Sequence, residues 1–166
     1  MKNLSSHDGL HDSLTGALTL LAFYEAVERE IARAGREIMS LHLLLLKLPL
    51  PIGSTSANSE TTRLSKNQMS EELLLVQLIE LVHELKRSLR NNDLISRTGL
   101  SEISIVFSGN AKDLKKRIIE IASKYSAEIA MVQYQEIWKL SEFLMAGDIA
   151  LKEIVTEKND ATNLYL

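Results

Sequence analysis

Arg90-Asn91-Asn92-Asp93-Leu94-Ile95-Ser96-Arg97-Thr98-Gly99-Leu100-Ser101-Glu102-Ile103-Ser104-Ile105-Val106-Phe107 decides how the rest of the chain is read. Leu94 and Ile95 form a short first arm. Ile103, Ile105 and Phe107 alternate with Ser104 and Val106 on a second. β-Branched and aromatic residues suit a pleated, half-buried surface, so two strands around a tight turn are expected. Gly99 falls in the turn, where glycine offers a freedom in φ that other residues lack.

The chain around this hairpin has 166 residues, enough for one domain, 1–166, with a genuine core. Apolar residues make up 45% and charged ones 25%, an ordinary globular balance. A formal charge of −3 gives no broad basic field, so nucleic acid and anionic membranes are not expected partners. There is no cysteine, which excludes disulfides, thiolate catalysis and Cys-ligated zinc and fits a reducing cytoplasm. The N-terminus lacks an apolar signal core. The most apolar run, Leu41 to Ile52, is too short to span a bilayer and contains Lys47 and two prolines.

Upstream, Asp12-Ser13-Leu14-Thr15-Gly16 is turn-like, and Thr19 can cap a helix carrying Leu20, Phe23, Tyr24, Val27 and Ile31 on one face. Ile38 to Leu48 is aliphatic apart from Ser40, His42 and Lys47, and its length favours a buried central strand. Residues 49–70 are rich in Ser, Thr and Asn, with Gly53 and two prolines, and are expected to be a long mobile loop. Ser70 is the expected cap of a helix to about Leu89, with a buried stripe of Leu74, Leu78, Leu81, Val82, Leu85 and Leu89. Leu73 and Leu75 widen that stripe toward a surface able to meet a partner chain.

Downstream, Asn110 caps a helix burying Leu114, Ile118, Ile121 and Ala122 beneath a solvated face of Lys112, Lys115, Lys116 and Arg117. Ala127–Tyr134 reads as a strand and Trp138–Ile154 as a final helix. A frayed tail is expected over 155–166. His7, His11, His42 and His83 show no metal-ligand spacing, and no nucleophile motif is evident.

With these elements in place, the hairpin resembles the signature hairpin of GGDEF domains, which make cyclic di-GMP from two GTP. In that family Gly-Gly-(Asp/Glu)-Glu-Phe forms the turn; here Arg97-Thr98 precede Gly99-Leu100-Ser101-Glu102-Ile103. Asp12, Leu14, Thr15, Gly16 and Phe23 match the family's opening block, and Ala146-Gly147-Asp148-Ile149-Ala150-Leu151 is similar to its C-terminal block. The resemblance implies an α/β (α+β) fold, a nucleotide-cyclase-like central antiparallel-rich sheet flanked by helices. It also locates departures. Lys47 and Pro49 stand where the family has two aspartates after its first strand, the former a magnesium ligand. Leu100 replaces the second turn glycine, Ser101 an acid, and Val155 and Asn159 the phosphate-holding lysine and arginine. The guanine-reading motif expected within 49–70 has no counterpart. Only Glu102 survives of the metal carboxylates.

Three functional readings follow. The first is a catalytically inactive, degenerate GGDEF-like signalling domain with no cofactor and no metal, cytoplasmic, binding cyclic di-GMP at an Arg-x-x-Asp inhibitory-type site. Arg90 and Asp93 have the family's spacing ahead of Gly99, with Arg97 as a further contact. An Arg fork suits phosphate or the O6/N7 edge of guanine, and an Asp accepts from guanine N–H groups. Capping at a helix end explains the same two residues without a ligand. The second reading is a nucleotide-independent interaction module, a homodimer or a complex with a protein partner. The third is a residual diguanylate cyclase.

Overall fold

The Leu41–Lys47 strand, β1, is buried along nearly its whole length. In the computed structural model, which describes residues 9–50 and 60–163 and in the latter stretch side chains only from 71 to 157, this strand lies inside the sheet. A strand covered on both faces has no polar side to show, which is why it reads as an unbroken aliphatic run. Leu41, Leu43 and Leu45 point to one core, built with helices α1 (Leu20–Glu37) and α4 (Leu140–Asn163). Leu44 and Leu46 point to the other, beneath α2 (Glu60–Ser88) and α3 (Lys112–Lys124). Strands β2 (Leu94–Arg97), β3 (Glu102–Ser108) and β4 (Glu128–Gln133) complete an antiparallel sheet of order β2-β3-β1-β4. The architecture is the expected α+β sheet flanked by helices.

The entry to α1 follows from short polar side chains. Asp12 Oδ2 accepts the Thr15 amide at 2.9 Å and the Thr15 hydroxyl at 2.7 Å, and Gly16 takes φ 67°. Burial pushes the Asp12 carboxyl up, but the Thr15 bonds and nearby Arg97 outweigh it, so it titrates below its ordinary range. Thr19 caps the helix, its hydroxyl accepting from the Ala22 amide at 3.4 Å. Phe23 and Val27 reach the core, while Leu20 and Tyr24 of the expected stripe stay at the surface. The strand expected from Ile38 starts instead at Leu41. Ile38 closes α1 in a left-handed conformation, φ 53°, and is 91% exposed.

Two boundaries differ from the sequence reading. The 49–70 segment is not a loop throughout: 51–59 lie outside the described residues, but the backbone is helical from Glu60, ten residues before the cap expected at Ser70. Residues 60–70 are polar yet contain neither glycine nor proline, so nothing breaks the helix. The frayed tail expected from 155 is likewise helical to Asn163, with 164–166 outside the described residues. No Gly or Pro follows Gly147, so α4 simply continues. α3 matches expectation: the Asn110 side chain accepts the Lys112 amide at 3.0 Å, and Leu114, Ile118, Ile121 and Ala122 are buried.

One contact sets where α4 sits. A methyl group built on Gly147 would stand 2.4 Å from Leu45 Cδ1 and 2.7 Å from Leu43 Cδ2. Ordinary carbon contacts are ~3.5–4.0 Å. The helix therefore approaches β1 more closely than any residue with a Cβ permits. No helix among the described residues is long and apolar enough to cross a membrane.

Candidate functional site

The hairpin turn folds tightly over the end of β1. Both the Thr98 and Gly99 amides donate to the Glu102 carbonyl, at 3.0 and 3.3 Å, and the Leu48 amide donates to the Ser101 carbonyl at 2.9 Å. Gly99 does not take the positive φ expected of it. Its requirement is space: a Cβ there would lie 3.1 Å from Glu102 Oε2 and 3.2 Å from Glu102 Cβ, so the missing side chain makes room for the acid. Leu100 projects outward at the turn, 60% exposed. Ser101 is buried, and Ile103 lies in the core opposite Leu46.

Lys47 and Glu102 are direct register partners on β1 and β3, and their side chains form an ion pair with Nζ–Oε1 of 2.8 Å. Each is about one-third exposed, at 33% and 35%. On its other side Lys47 faces Glu128 of β4 in register. A cleft of about 450 Å³ opens beside the pair, walled by Asp148, Leu151, Lys152, Val155 and Thr156 of α4. Asp148, Lys152 and Thr156 recur every fourth residue, so one helical face supplies the whole polar wall. The sequence reading missed these three. The spacing was visible, but which face α4 turns to the sheet depends on the close approach at Gly147. A smaller pocket of about 130 Å³ between Tyr24, Thr98, Ser104 and Leu144 shares Glu102 and Asp148 with the cleft.

The Arg-x-x-Asp residues lie at the opposite end of β2. Asp93 Oδ2 accepts the Arg90 backbone amide at 2.7 Å, closing the turn between α2 and β2. The Arg90 side chain is exposed. Arg97 is not brought to them. It ends the four-residue strand, its Nε donating to the Gly99 carbonyl at 3.1 Å and its Nη1 lying 3.6 Å from Asp12 Oδ1. His42 is a packed strand residue, 6% exposed and stacked on Phe107 with ring centroids 5.2 Å apart. Its Nδ1 has no hydrogen-bond partner among the described residues. Burial holds its imidazole below the ordinary range, and a backbone hydrogen bond with Gly109 opposes that shift.

An antiparallel sheet with its hairpin turn beside the end of the central strand, and the last helix across the cleft, is an arrangement found in solved proteins. A sensory box/GGDEF family protein from Caulobacter crescentus superposes with a TM-score of 0.71 at 18% identity, over 89% of this chain and 99% of that one. The chain has the fold of a GGDEF domain. The GGDEF domain of DgcB from Caulobacter crescentus, solved in complex with cyclic di-GMP, gives a TM-score of 0.72 at 14% identity, over 90% and 91% of the two chains. The GGDEF domain of TpbB (YfiN) from Pseudomonas aeruginosa gives 0.68 at 18%, over 89% of each. No protein-family profile and no curated protein sequence matches the chain.

In the GGDEF fold the resemblance implies a magnesium ion held by carboxylates at the end of β1 and in the turn. The residues present do not fit one. Magnesium demands near-octahedral oxygen ligands, and the position facing Glu102 carries an ammonium group at hydrogen-bonding distance. Ser101, at the other carboxylate position, is buried. Among the described residues no three His, Cys, Asp or Glu side chains gather into a metal-holding group.

Proposed function

We propose that the chain is a signalling domain of GGDEF type that does not cyclise GTP and that reads cyclic di-GMP through Arg90 and Asp93, acting as one cytoplasmic domain. The Lys47–Glu102 ion pair carries the first half of this reading. Joining two GTP molecules needs cations that offset triphosphate charge and stabilise charge developing in the transition state. An ammonium already neutralised by Glu102 supplies neither function, and it blocks the one remaining carboxylate. Val155 adds an aliphatic wall where the resemblance implies a lysine for the phosphates.

The second half rests on position and chemistry. Arg90 and Asp93 precede Gly99 at the spacing of the family's inhibitory site. Asp93 spends one oxygen on the Arg90 amide, which leaves the other to accept from a guanine N–H and holds the two residues in a fixed relation. The exposed Arg90 guanidinium is a fork for phosphate or for the O6/N7 edge of guanine. DgcB, a protein of similar fold, binds this dinucleotide.

Isothermal titration with cyclic di-GMP tests the binding. Arg90→Ala is expected to weaken it about tenfold to a hundredfold, the size of a lost charge-assisted contact. Asp93→Asn keeps an oxygen for the turn while removing the anionic acceptor, so the fold persists and binding falls. Unchanged affinity in both variants places the ligand elsewhere. Incubation with GTP and magnesium or manganese, followed by chromatography, tests the inactivity; cyclic di-GMP in the products refutes it.

A further inference from the structure

The core side of α2 is occupied by Leu74, Leu78, Leu81, Val82 and Leu85. The opposite side has its own pattern: Glu72, Val76, Ile79, Glu80, His83 and Arg87 follow at spacings of three and four residues and lie at the surface. Val76 is 50% exposed and the adjacent Leu73 59%. Scattered surface aliphatics are ordinary. These occupy successive turns of one helical face, and the β-branched Val76 and Ile79, 50% and 37% exposed, lower helix propensity for only partial burial.

The order of charge along this stripe selects its occupant. It begins with the acid Glu72, carries Val76, Ile79 and the single acid Glu80 in the middle, and ends with the base Arg87. Such a stripe complements itself only when reversed. We infer that this face docks on the same face of a second copy of the chain, the two α2 helices antiparallel about a two-fold axis between residues 79 and 80. That register sets Glu72 against the partner's Arg87 at both ends and Val76 level with the partner's His83, with Ile79 and Glu80 of both copies nearest the axis. A parallel pairing would set like charge against like. An antiparallel pair also opposes the helix dipoles favourably, and a two-fold interface uses one patch twice. Arg87 is held on this face by His83, Nη2–Nδ1 2.8 Å, and Glu72 has no side-chain partner among the described residues. The interface lies on the α2 side of the sheet, away from the cleft walled by α4.

From Glu72 to Arg87 the contact spans roughly 22 Å of helix. That is short for a stable interface, which buries at least ~1,000 Å² in total, so the dimer is expected to exchange in the micromolar range. Sedimentation equilibrium of the whole chain, from low to high micromolar concentration, reads it. Wild type is expected to pass from monomer to dimer. Glu72→Arg and Arg87→Glu each place like charges at both ends of the pair and are expected to raise the dissociation constant at least about tenfold. An equimolar mixture of these two variants restores opposite charges at both ends and is expected to dimerise as wild type does. Ile79→Glu, which leaves both charges in place, is expected to be monomeric with unchanged helicity. A wild type that stays monomeric, single variants that dimerise normally, or a mixture that stays monomeric overturns the inference.

Discussion

Replacing Gly147 with alanine tests the seat of α4 most directly. The added methyl meets Leu45 Cδ1 at 2.4 Å and Leu43 Cδ2 at 2.7 Å, overlaps of about 1 Å against normal carbon contact. Both leucines are essentially fully buried, so their methyl ends can turn aside only by displacing other core atoms. Overpacking of this kind costs ~1–3 kcal/mol. Alanine is better than glycine in a helix by about 1 kcal/mol, which offsets part of the loss. Taking the upper half of the overpacking range, because two buried side chains are struck at once, a net loss of about 1–2 kcal/mol remains. For a chain of this length that lowers the melting temperature by roughly 3–6 °C. Urea and thermal unfolding followed by circular dichroism measure both quantities. Leu45→Val in the Gly147→Ala background removes the closest methyl and is expected to lose less stability than it does in wild type, a coupling that a double-mutant cycle isolates. A Gly147→Ala protein as stable as wild type, or additive behaviour in the cycle, would refute the close approach and with it the placing of Asp148 and Lys152 on the cleft wall.

Two further outcomes follow from single residues. Ile38→Gly relieves a β-branched side chain held at φ 53° and almost fully exposed, so stability is expected to rise by about 1 kcal/mol in urea unfolding; a loss would contradict the left-handed cap. His42 is buried with its pKa lowered, so the unfolded chain takes up a proton more readily than the folded one. Its contribution is fully present above the unfolded value of about 6.5 and declines as pH falls from there toward the folded value, at no more than ~1.4 kcal/mol per pH unit. Urea midpoints between neutral pH and pH about 5 should show this decline in wild type and a flatter profile in His42→Phe. Equal slopes in the two proteins would assign it to other groups.

The sheet was legible because its strands carry their burial in their composition. The length and flanks of the aliphatic run ending at Lys47 favour a covered strand, and the alternation from Ile103 to Phe107 marks the second arm of the hairpin; that the two pair is set by the fold. Polar segments were less readable. Residues 60–70 look like a loop by composition, yet helix formation asks only that no residue forbid it. Gly99 was placed correctly but for the wrong physical reason, since its task is to clear space for Glu102 rather than to bend the backbone. The Lys47–Glu102 pairing was implicit in the two positions, but its hydrogen-bonding distance belongs to the register of β1 on β3. The polar wall of α4 was invisible because a helix announces its faces and not their neighbours. Arg97 illustrates the converse: its place in the sequence beside Arg90 and Asp93 suggested a shared site, while a strand carries it away to Asp12.

Lys47 is a counter-ion attached to the polypeptide. A divalent ion comes and goes with supply, yields to competitors and can be stripped by chelators. An ammonium fixed to the central strand does none of these, so Glu102 has a counter-ion at hydrogen-bonding distance without any bound metal. A hairpin neutralised from within needs no bound divalent ion to balance the charge of Glu102.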